Sequence, residues 1–155
     1  MRRLLTAIAC LGLMLVLAAP ALAAGRVPSG VTRVSVALTA PPASAGGSHA
    51  SAHRTFTRAA KIAEIVNATD ALKVATARGA CPMIMVLGPH LTVVFRNSGG
   101  TIVAEETVQV VYGSKGDSGS SNCFPIHFSS GSTGQSLVGN SFIRTIGRMI
   151  GTPIS

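Results

Sequence analysis

Apolar and polar positions change rhythm several times along the chain, and each change marks an element. Leu4 to Ala19 is an almost unbroken apolar run between Met1-Arg2-Arg3 and Pro20-Ala21-Leu22-Ala23. A basic start, a run of about 16 apolar residues and small residues at its end predict a secretory signal peptide over 1–23. The run is short for a membrane anchor, which needs roughly 20 residues. Cys10 has a lipoprotein-like setting, but apolar sequence continues well beyond it. Residues 24–155 then form one secreted domain without a stable membrane span.

Within that domain Val31 to Thr39 alternates, with Val34, Val36 and Leu38 on one side and Arg33, Ser35 and Thr39 on the other. This is the period of a half-buried strand. Residues 40–54, rich in Pro, Gly, Ala and Ser, have no apolar rhythm and predict a flexible loop. Ile62, Ile65, Val66, Thr69 and Leu72 recur at helical steps, so a helix is expected from about Arg58 to Thr76 with Thr57 as its cap. Leu91–Arg96, the loop Asn97-Ser98-Gly99-Gly100 and Thr101–Tyr112 read as a β-hairpin. Glu106 falls on the apolar side of the second strand, which predicts a bulge near Glu105-Glu106 or an overhang.

Phe124–Phe128 reads as an edge strand, because Pro125 cannot donate to a ladder. Phe142, Ile143, Ile146, Met149 and Ile150 predict a final helix, capped by Asn140 or Ser141 and stopped at Gly151-Thr152-Pro153. The expected fold is α+β: a small antiparallel sheet of about four strands, two helices packed on one face, and one disulfide.

Composition changes this picture in two respects. The expected mature chain holds eleven Lys/Arg against five Asp/Glu, a net charge near +6. The basic residues are scattered singly without interleaved aromatics, so nucleic acid is not the expected partner; an extracellular protein or an anionic surface polymer fits better. Only Cys81 and Cys123 remain after the leader, and an oxidising compartment predicts a bond between them. In the chain-entropy model such a loop is worth about 4 kcal/mol.

Chemistry is sparse. Glu105 and Glu106 are adjacent on a strand and point to opposite faces, so they cannot act as a carboxylate pair. His90 and His127 could approach across the sheet end, but no third ligand accompanies them. His49 and His53 share a helical ligand spacing in a stretch that predicts no helix. No nucleophile elbow and no phosphate-binding glycine motif is present. No catalytic residue, metal or cofactor is expected.

The succession V-T-R-V-S-V, F-T-R-A-A-K-I-A-E-I-V-N-A-T-D-A-L, A-C-P-M, L-T-V-V-F-R and N-C-F resembles a group of uncharacterised secreted or lipoprotein domains of actinobacteria and other soil bacteria. That resemblance implies location and fold, and no activity. Cys81-Pro82-Met83-Ile84 followed by L-T-V is also similar to the reactive segment of subtilisin-inhibitor-like proteins. It would make Met83 the primary specificity residue and Met83–Ile84 the scissile bond. The family's second, upstream disulfide is missing here. The sequence therefore predicts a non-catalytic binding or structural module outside the cell, with a subtilisin-type protease inhibitor as the alternative.

Overall fold

The structure, a computed structural model, describes residues 25–40, 51–76, 86–112, 118–119, 123–152 and 154. It is mostly sheet. Among the described residues eight strands and two helices follow in the order β1 (Val31–Thr39), β2 (Ala52–Phe56), α1 (Ala59–Asp70), β3 (Lys73–Val74), β4 (Val86–Asn97), β5 (Ile102–Tyr112), β6 (Ser118–Gly119), β7 (Ile126–Ser130), β8 (Thr133–Val138) and α2 (Asn140–Ile150). Seven strands lie side by side as β2-β1-β4-β5-β7-β8-β3, and the short β6 joins the end of β5. All these pairings are antiparallel.

The expectation of about four strands is therefore wrong, and the reasons are local. β2 falls in the stretch read as a loop because Ala-His-Arg-Thr-Phe carries only one large apolar side chain, Phe56. β8, Thr-Gly-Gln-Ser-Leu-Val, buries only Leu137. Both are held by ladder bonds to a strongly apolar neighbour, a long-range effect that a local apolar pattern does not contain. Because β8 pairs with β7 through Ile126–Leu137, β7 is interior to the sheet. Pro125 is buried immediately before β7 and costs the ladder nothing, so the edge placement expected for this strand is also wrong.

Of the expected staple only Cys123 lies among the described residues. No disulfide links two of the described residues, and Cys81 lies outside them. Cohesion comes from one apolar layer. Val34, Val36 and Leu38 of β1, Leu91, Val93 and Phe95 of β4, Val108 and Val110 of β5, and Ile126, Phe128 and Leu137 line one sheet face. Ile62 and Ile65 of α1 and Phe142, Ile143, Ile146 and Met149 of α2 cover that face in a single cluster. The opposite face carries Ser35, Thr55, Thr92, Thr107, His127 and Ser129 and is solvated.

α1 is shorter than its apolar rhythm predicts. It ends at Asp70, and after Leu72 the chain turns out to pair as β3 with β8. α2 ends as its sequence predicts, on Gly151 in the left-handed region at φ 76°. Among the described residues no helix is long and apolar enough to cross a membrane.

Candidate functional site

Four cations meet at the β2 edge of the molecule. β2 delivers Arg54, and the short link Thr57-Arg58 brings Arg58 to the N-cap of α1, whose first turn carries Lys61. The C-terminal end of α2 brings Arg148 and Met149 to the same place. Together with Thr55, Phe56 and Thr57 they line an open basin of about 500 Å³. No carboxylate lines it.

Each cation has a different local cause. Arg54 donates from Nη1 to the Met149 carbonyl at 2.8 Å and lies over the Phe56 ring at 5.6 Å, so it covers the negative end of α2. Arg148, in the last turn of α2, sits where a helix favours positive charge. Lys61 pairs with Glu64 at 2.8 Å on the solvent side. Arg58 has no such justification. It occupies the N-cap of α1, where Ser, Thr, Asp or Asn is preferred, and makes no side-chain capping bond. The first turn of α1 contains no acidic residue, so Arg58 and Lys61 both stand at the positive end of the helix dipole, and only Lys61 has an ion-pair partner. Thr57, expected as the cap, precedes the N-cap and leaves this role to Arg58.

The second unusual charge is Glu106, 1 % exposed on the apolar face of β5 between Val93 and Phe128. Neither the bulge nor the overhang expected at Glu105-Glu106 exists; the β4–β5 register shifts lie at Leu87/His90 and Phe95/Arg96. Glu106 simply faces α1. Thr69 donates its hydroxyl to Oε2 at 3.3 Å, and Oε1 has no hydrogen-bond partner. Burial pushes its carboxyl up to about 8; the Thr69 bond opposes the shift, nearby Asp70 adds to it and Arg26 opposes it. Shifts of this kind cluster at reactive sites. Here, however, neither the basin described above nor the dish on the solvated sheet face reaches the group, so it can meet no substrate in either.

Asp70 binds the segment ahead of β1: its Oδ1 accepts the backbone N–H of Arg26 at 2.7 Å and of Val27 at 3.3 Å. Arg26 returns a bond from Nη1 to the Asp70 carbonyl at 2.8 Å, compensating the negative end of α1. A Cβ on Gly25 would run into the Asp70 carboxylate, so a larger residue there would have to push that carboxylate aside.

A shallow dish of about 470 Å³ opens on the solvated sheet face. Ser136 stands directly across from His127, and Glu105 is on its diagonal. No hydrogen bond joins His127 to either, so no nucleophile and base are linked. β5 separates β4, which carries His90, from β7, which carries His127. Among the described residues no group of three or more His, Cys, Asp or Glu side chains could hold a metal ion. His53 is on β2, whereas His49, Cys81, Met83 and Ile84 lie outside the described residues. Cys123 is half-buried just ahead of β7.

Compared with known proteins, the chain matches no family model, no curated sequence and no solved structure. The basin residues escaped sequence reasoning because Arg54, Arg58 and Arg148 are isolated charges in three different segments. One local signal did point there: two cations, without an acid, at the start of an amphipathic helix.

Proposed function

We propose that this protein is a non-catalytic binding module of the cell exterior whose basin takes the anionic groups of a partner. The observation carrying this reading is the charge at the start of α1. Each cation at a helix N-terminus costs about 0.3–1 kcal/mol, and Arg58 also forgoes a capping bond worth about 1 kcal/mol. An anion in the basin would turn this liability into a binding contribution, because backbone N–H groups at the helix start and three guanidinium groups would face it. Among the described residues no carboxylate lies within ion-pair distance of Arg54, Arg58 or Arg148.

Binding to fluorescein-labelled dextran sulfate, followed by anisotropy, tests the reading. The protein should bind at low salt, weaken steeply between roughly 50 and 200 mM NaCl, and ignore neutral dextran. Replacing Arg58, Lys61 and Arg148 together by serine should weaken binding about tenfold or more, a loss of about 1.4 kcal/mol. Unchanged affinity in that variant would refute the basin as the site. The inhibitor alternative rests on residues 81–84, and nothing in the described structure favours it.

A further inference from the structure

The basin runs along a strand. Five consecutive residues, Arg54 to Arg58, line it, and they are the last part of β2 and the link that continues it. β2 is also the last strand on its side of the sheet: it pairs with β1, and among the described residues no strand pairs with its outer edge. Such an edge presents a row of backbone donors and acceptors.

Which groups face outward follows from the ladder. The Ala40 N–H is directed at Ser51 Oγ, 3.1 Å away across the β1–β2 gap. Strand alternation then aims the backbone groups of Leu38, Val36 and Val34 at Ala52, Arg54 and Phe56. His53 and Thr55 are left with N–H and C=O on the open edge. The 3.3 Å contact between the Ser35 and Thr55 hydroxyls fits the closer side-chain approach of a pair not joined by ladder bonds.

We infer that the open edge of β2 and the basin form one strand-addition site, and that its occupant is an acidic, extended peptide segment of an extracellular partner. The inference rests on the anion-binding reading and names its partner class. Main-chain bonds to His53 and Thr55 would supply pairing, and alternate side chains of the incoming strand would fall on the helix side. On that side stand Arg54, Arg58 and Arg148, so acidic residues two apart match the site, at about 6.6–6.8 Å along the strand. The solvated side, next to His53 and Thr55, suits small or β-branched residues. A second copy of this chain is the wrong occupant, because its own β2 would bring Arg54 against Arg54. The opposite sheet edge offers no equivalent, since β3 has only two residues.

The test uses a capped peptide of about seven residues alternating valine and glutamate, its analogue N-methylated at the amides that would face β2, and dextran sulfate. The plain peptide should bind, the analogue of equal charge should bind about tenfold more weakly, and serine at Arg58 and Arg148 should weaken the plain peptide by a similar factor. The amide protons of His53 and Thr55 should also become protected from exchange in the complex. If both peptides and dextran sulfate bind alike, the basin holds anions but strand addition is overturned. Failure of dextran sulfate to bind at low salt overturns the anion-binding reading and this inference with it. Peptide binding that ignores the serine replacements, or that drives the protein into dimers through β2, also overturns it.

Discussion

The two ends of α1 both hold charge where elementary physics disfavours it, and they deal with it in opposite ways. At the N-terminus Arg58 and Lys61 oppose the helix dipole in full view of solvent. Water and salt reduce the cost to the order of 1 kcal/mol, so the protein can keep these charges ready for an outside partner. Beside the C-terminal turn Glu106 is sealed under Thr69 with no solvent to help it. A bare carboxylate there would cost several kcal/mol, and the group escapes by holding its proton. Exposed frustration of charge can be kept for binding; buried frustration is removed by titration.

The largest effect that would break this comparison is in pH. Glu106 titrates at about 8 in the folded protein against 4.5 ordinarily. Between these values the folded state holds more protons than the unfolded one, so stability should fall as pH rises from about 4.5 to about 8 and level off above. The shift corresponds to a loss approaching roughly 5 kcal/mol. Urea unfolding at a series of pH values should show this slope in the native protein and a nearly flat profile in Glu106→Gln. A native profile that rises across the same interval would mean that Glu106 is ionised and compensated.

Next in size is Asp70. Glu106 feels its negative charge, and the strap from Gly25 to Val27 hangs on its carboxylate. Asp70→Ala should destabilise the domain by about 2–3 kcal/mol, since two backbone donors lose a charged acceptor. It should also move the midpoint of the Glu106 titration to lower pH, because a neighbouring negative charge is gone. Destabilisation without a shift in that midpoint would separate the strap from the buried acid.

The smallest effect sharpens the other end of the helix. Arg58→Ser supplies the missing capping hydroxyl and removes an adverse charge, so it should stabilise the domain by about 1 kcal/mol in thermal or urea melts. The same variant should bind dextran sulfate less well than the native protein. A gain in stability accompanied by lost affinity is the signature expected of a residue kept for binding. If Arg58→Ser destabilised the protein, Arg58 would have a structural role that its surroundings do not reveal.

Where apolar side chains recur with a clear period, the elements were legible from the chain itself. β1, the β4–β5 hairpin and α2 owe their positions to such rhythms, and Gly151 and Gly100, both at positive φ, sit where a turn or stop requires them. The fact that Glu105 and Glu106 face opposite ways follows from strand geometry alone. β2 and β8 were not legible, because short polar strands take their order from the neighbours they pair with. The expected bulge at Glu106 failed for a related reason: polar character was read as a sign of exposure, whereas α1 covers the residue and the proton stays on.

Periodicity along the sequence thus determined which segments could become helices or long strands and which faces they would bury, since those choices depend on residues a few positions apart. Tertiary structure alone decided how many strands the sheet would hold, that β7 would be interior, and that Arg54, Arg58 and Arg148 would share one basin. Ladder bonds and charge proximity act between residues that can be almost a hundred positions apart, as Arg54 and the Met149 carbonyl are, and no local pattern records such a distance.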